Sequence, residues 1–196
     1  MESLKFGTFI PPIHPTNENP SLCLERDIQL IEHMDKLGFD EAWLGEHHSA
    51  GTELFSTPEL IILAAHYRTR QIRLGTGVNS LPYHHPLILA DRFMQLHHMT
   101  QGRAMFGAGP GALVSDAKMM GINPSEQRSM MEEALEDILR LFRGEIVTNQ
   151  TSWYTLKDAR LQLKPYNNSP IEVVTASIAS PSGPKAAGRL GTGLIS

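Results

Sequence analysis

A single cysteine, Cys23, stands among the 196 residues, so no internal disulfide can form and the expected setting is a reducing one, the cytoplasm. Lysine and arginine never form a run, and the net charge is −4. That balance excludes the basic footprint by which nucleic acid or an anionic membrane surface is bound. Long apolar stretches are missing too. The longest, around residues 60–65, falls far short of the ~20 residues of a membrane span. Residues 1–6 lack the basic-then-apolar order of a signal peptide. What remains is ordinary: 41% hydrophobic and 19% charged residues, in a chain long enough for one domain with a real core.

Within that chain, β-rich apolar runs alternate with helical patterns. Strands are expected over 4–10, 41–46, 72–80, 104–108 and 171–175, with a sixth starting at 193. Helices are expected over 22–37, 57–67, 86–99, 125–142 and 181–190. Ser21 reads as the cap of the first helix and Gly38 as its stop; Thr57 and Ser125 read as caps further on. A small hairpin is inserted at about 146–156. This alternation argues a parallel α/β sheet, either doubly wound or barrel-like, and periodicity does not choose between them.

Several motifs carry chemistry. Gly107-Ala108-Gly109-Pro110-Gly111-Ala112 formally fits a dinucleotide fingerprint, but Gly121 and Pro124 interrupt the helix that should begin at once. A loop that lets a ligand approach the backbone, with Gly109 in it, is the better reading. The nine histidines include three adjacent pairs, whereas helical metal ligands need i, i+4 spacing; no metal site is expected. Glu46-His47-His48 follows the second strand, where a barrel builds its active-site mouth, and an imidazole there can act as acid, base or donor. The plainer alternative is a water-exposed loop histidine. The segment from Thr175 through Ser177, Ile178 and Ser180 to Pro181 leads into a helix N-terminus, a natural seat for a phosphate; capping by Ser180 is the simpler explanation. Arg128 can supply a guanidinium to the same anion or stay a solvated surface charge.

These residues together resemble the bacterial-luciferase-like flavin monooxygenases, in particular those of the limonene type. The likeness runs through Gly38-Phe39-Asp40-Glu41-Ala42-Trp43 and Glu46-His47-His48, then Arg73-Leu74-Gly75-Thr76-Gly77-Val78. It continues through Leu81-Pro82-Tyr83-His84-His85-Pro86, Met99-Thr100-Gln101-Gly102-Arg103 and Ser180-Pro181-Ser182-Gly183-Pro184, all in family order. The resemblance implies a (β/α)8 barrel, here incomplete: about five βα units and the start of strand six, in one domain cut short on its C-terminal side. It also implies reduced FMN at the mouth. His47 matches the family's active-site histidine, with Glu46 helping to orient the loop. Gly77-Val78 matches a non-proline cis peptide beneath the flavin ring, Asn79 its edge, and Arg128 with Ser177, Ile178 and Ser180 the phosphate contacts. Pro110 and Ser177-Ile178 depart from the luciferase pattern near that phosphate.

The activity implied is oxygenation of a small organic substrate by O2 through a flavin hydroperoxide, with a separate flavin reductase as electron source. Two alternatives stand beside it: a deazaflavin-dependent hydride-transfer oxidoreductase on the same barrel, and a non-catalytic flavin-binding partner subunit. A homodimer is expected through the second and third helices, because residues 60–65 are apolar nearly all round. With strands seven and eight absent, the 196 residues are not expected to work alone.

Overall fold

The computed structural model describes residues 4–177 and 181–196. Its first strand, β1 (Gly7–Ile10), is shorter than the 4–10 expected, because the Phe6 carbonyl and N–H bond to Asp40 ahead of the sheet. The first helix, α1 (Pro20–Leu37), is capped by Asn19 rather than Ser21. The Asn19 amide oxygen accepts the Ser21 N–H at 2.9 Å, and Pro20 sets the first helical φ. Gly38, at φ 83°, ends the helix in the left-handed conformation that glycine adopts without penalty.

The elements then alternate as β2 (Glu41–Leu44), α2 (Pro58–His66), β3 (Arg73–Thr76), β4 (Asn79–Ser80), α3 (Pro86–Met99) and β5 (Ala104–Gly109). Thr57 occupies the cap position of α2 but makes no side-chain capping bond. The single strand expected over 72–80 is two: β3 lies between β2 and β5, β4 pairs with β5, and the cis Gly77–Val78 peptide lies between them. After β5 comes a six-residue helix, α4 (Val114–Met119), in a stretch expected to be only a glycine-rich loop. The long helix α5 (Gln127–Phe142) starts two residues beyond Ser125, whose hydroxyl and N–H bond to Asn123 instead of capping it. The hairpin is β6 (Val147–Gln150) with β7 (Thr155–Ala159), so Trp153 falls in its turn rather than in a strand. The chain closes with β8 (Val173–Ala176), α6 (Ser182–Leu190) and β9 (Gly193–Ile195).

Strand order decides the architecture. The sheet runs β1-β2-β3-β5-β8-β9, every pair parallel, each new strand added on the same side. A doubly wound sheet would reverse direction partway; this one curls into a half-barrel. One face of the sheet carries Ile10, Leu44, Leu74 and Phe106 into the main core beneath the helices, where Phe93 meets Phe106 edge-on at 4.8 Å. Trp43, Met105 and Val174 form a smaller cluster apart from that core, with Ile195 against it. Asp35 fastens α1 to the turn before β3: its buried carboxylate accepts the N–H groups of Arg70, Gln71 and Ile72 at 2.8–2.9 Å. Burial alone would raise the pKa of that carboxyl, but the three donors hold it below the ordinary range. The hairpin is tied to α5 in a similar way, through Tyr154 and Asn149 hydrogen bonds to Asp137. Burial, together with the neighbouring Asp137, drives the Tyr154 phenol far above its usual value. No helix among the described residues is long and apolar enough to cross a membrane.

Candidate active site

A parallel sheet leaves the C-terminal ends of its strands at one mouth, and a cavity of about 370 Å³ opens there. Glu46 and His47 reach it just past β2, Gly77 and Val78 just past β3, and Ser80 at the end of β4. From the other side come Ala112 after β5, Ala176 and Ser177 at the end of β8, and Ile195 of β9. The wall is mainly apolar, with the imidazole of His47 and the carboxylate of Glu46 as its ionisable groups. Two glycines make the shape possible. A Cβ on Gly107 would fall 1.9 Å from the Thr76 carbonyl, and one on Gly109 would fall 2.3 Å from a Val78 methyl. Only glycine lets β5 pass so close behind the Gly77–Val78 turn.

Five of the expected site residues, His47, Glu46, Gly77, Val78 and Ser177, therefore meet in one cavity. Gly109 sits behind Val78 rather than in the wall. Asn79 is fully buried beside the wall, and neither atom of its amide has a hydrogen-bond partner among the described residues. Arg128 is exposed in the first turn of α5, away from the cavity wall. Ile178 and Ser180 lie outside the described residues. Among the described residues no group of acidic, histidine or cysteine side chains is arranged to hold a metal ion.

Glu46 is the electrostatic centre of the wall. One oxygen faces His48 Nε2 at 2.8 Å and His84 Nε2 at 3.0 Å, and the other accepts the Ser80 N–H at 3.0 Å. Burial pushes the pKa of this carboxyl up, but the hydrogen bonds from His48, His84 and Ser80 outweigh it and keep the group ionised. In return the hydrogen bond to Glu46 raises His48 above its ordinary value, against the opposing effect of its own burial. Next to this cluster, Gln127 donates to the Tyr83 hydroxyl at 2.9 Å and to the Pro110 carbonyl at 2.8 Å, joining α5 to two of the loops.

His47 takes no part in the Glu46 cluster. Its ring lies between Glu53, 3.4 Å from Nε2, and Asp116, 3.5 Å from Nδ1. Neither carboxylate was anticipated from the sequence. His84 was visible only as part of a family-like segment, and nothing near Asp116 in the chain marks it out, since its partners lie 67 and 68 residues away.

Comparison with known proteins agrees with this geometry. A family model described as luciferase-like monooxygenase matches residues 4–196. The chain is 50% identical over 191 residues to limonene 1,2-monooxygenase of Rhodococcus erythropolis, covering 97% of this chain and 49% of that protein. A monooxygenase structure from Streptomyces bottropensis superposes with a TM-score of 0.88 at 27% identity, over 97% of this chain and 59% of that one. The oxygenating constituent of 3,6-diketocamphane monooxygenase from Pseudomonas putida, solved in complex with FMN, shares the fold. It gives a TM-score of 0.87 at 22% identity, covering 98% of this chain and 57% of that one. The chain spans about half the length of the curated relatives it matches. By the sequence match, the sheet order and the cavity at its strand ends, this chain belongs to the luciferase-like monooxygenase family.

Proposed function

We propose that the chain carries the flavin site of a monooxygenase that uses reduced FMN and O2 to oxygenate a small organic substrate. The observation that supports it most is the composition of one cavity: an apolar chamber at the strand ends with His47 in its wall, in a chain 50% identical to a limonene monooxygenase. The residues present suit a flavin. Gly77 and Val78 would offer the surface on which a ring system lies, and Gly109 lets β5 pack directly behind Val78, where a Cβ would fall 2.3 Å from a Val78 methyl. Ser177, with Ile178 and Ser180, would hold the phosphate end, and Asn79 would serve the ring edge, while Arg128, exposed on α5, is left as the solvated charge.

Bound reduced flavin supplies the two electrons with which O2 gives one oxygen atom to the substrate and one to water. The apolar wall keeps bulk water from the reacting oxygen. His47 holds a proton on its ring and hydrogen-bonds the oxygen being transferred, and Glu46 fixes the loop that bears it by holding His48, His84 and the Ser80 N–H. Reduced flavin would come from a separate flavin reductase, as the likeness to luciferase-like monooxygenases implies. Pairing of two copies through α2 and α3 is part of the same reading, because Leu60, Tyr67 and Ile88 are left 58–71% exposed there.

An anaerobic titration tests the proposal. Reduced FMN should bind stoichiometrically to a particle that light scattering weighs as a dimer, and a reduced deazaflavin should bind at least tenfold more weakly. Preference for the deazaflavin would replace oxygenation by hydride transfer, and no binding of either would remove the flavin reading.

A further inference from the structure

The two carboxylates beside His47 are held differently. Asp116, on α4, has a side chain only 1% exposed. One of its oxygens is engaged by the segment that bears His47, accepting the His48 N–H at 3.2 Å and the Ser49 hydroxyl. The other oxygen faces His47 Nδ1 at 3.5 Å. That nitrogen is itself buried and has no hydrogen-bond partner at ordinary distance among the described residues. Glu53, on the segment after β2, stands on the Nε2 side with its side chain 16% exposed, as is that of His47. The main chain at His47 is held as well, since the His47 N–H donates to the Phe55 carbonyl at 2.9 Å. Glu46, although adjacent in the chain, is turned to His48 and His84.

A buried ring nitrogen that carries a proton needs an acceptor, and the tautomer of an imidazole is set by whatever the other nitrogen bonds. Asp116 is the more deeply buried of the two carboxylates, so its pull on an N–H is less screened than that of Glu53. We infer that Asp116 is a positioning residue for His47: its free oxygen accepts the Nδ1–H, fixes the ring plane and tautomer, and leaves Nε2, beside Glu53, as the nitrogen that exchanges protons. The gap of 3.5 Å suits this role, because catalytic hydrogen bonds commonly tighten only when the ligand is in place. The tautomer stands on geometry alone; its catalytic consequence rests on the flavin reading above.

The test begins on flavin-free protein labelled with 15N-histidine, at a pH where His47 is neutral, its signal assigned by loss in His47→Gln. Wild type should carry the proton on Nδ1, and Asp116→Asn, which keeps the shape but removes the charge, should move it wholly or partly to Nε2. A bare Nδ1 in wild type, or an unmoved proton in the variant, overturns the inference. The wild-type spectrum decides by itself if the variant does not fold. In turnover, Asp116→Asn should lower coupled oxygenation by ~10²-fold with unchanged FMN affinity, and add nothing on a His47→Ala background. Additive losses would overturn the positioning role. Failure of the wild-type chain to bind reduced FMN would sink the flavin reading but leave the spectroscopic result for Asp116 intact.

Discussion

Replacing His47 by alanine is expected to lower oxygenated product per reduced FMN by about 10²- to 10⁴-fold, the usual worth of a positioned general acid or base. Flavin affinity should change little. The reason is the proposed division of labour in the cavity: Gly77, Val78 and Ser177 line it with backbone and small side chains that would cradle the flavin, whereas His47 supplies an imidazole to the wall. Loss of the ring leaves the cradle intact and takes away the proton-bearing group. Oxygen would still be consumed, and the electrons would leave as hydrogen peroxide instead of product. Three measurements on one preparation settle the matter: product yield, peroxide released and the FMN dissociation constant. Wild-type product yield in the variant would take His47 out of the chemistry.

The second large effect is on stability. Glu46→Gln is expected to cost about 3 kcal/mol, a fall in Tm of about 6–12 °C for a chain of this size. The carboxylate is buried and serves three partners, and an amide puts a donor where one of the donors now points. The pH dependence has a definite sign. His48 is raised above 6.5 in the folded chain, so its share of stability is complete below 6.5 and is lost as pH rises through the folded value. Glu46 is lowered below 4.5, so its share is complete above 4.5 and is lost as pH falls through the folded value. The Tm difference between wild type and variant should therefore be largest between pH 4.5 and 6.5 and smaller at pH 9. A difference that is constant, or that grows with pH, would show that the Glu46–His48 pair is not its source.

Much of this molecule is legible in its residues because the signals are local. Pro86 and Met99 bound α3 as expected, Gly38 stops α1, and the β/α alternation gives the parallel sheet. The cis peptide falls at Gly77–Val78, where the family resemblance places it. What is not legible depends on contacts across the fold. The six residues of α4 carry no side-chain cap and little pattern, so nothing in them announces a helix or singles out Asp116. Asn19 outcompetes Ser21 as a cap because Pro20 suits the first helical turn, a choice made by two residues jointly. Glu46 and His47 look like a pair in the sequence, yet successive side chains on extended backbone diverge. Glu46 instead meets His48, two positions on, and His84 from another loop, whereas His47 meets Glu53 and Asp116.

The central claim, that flavin occupies the chamber at the strand ends, is tested most directly by hydrogen exchange with and without reduced FMN under anaerobic conditions. The account predicts slower exchange at the amides of residues 77–80, 109, 111–112 and 175–177, which line or back the cavity, and no change across the β6–β7 hairpin, which does not. Protection confined to other segments, or none at saturating flavin, would contradict it.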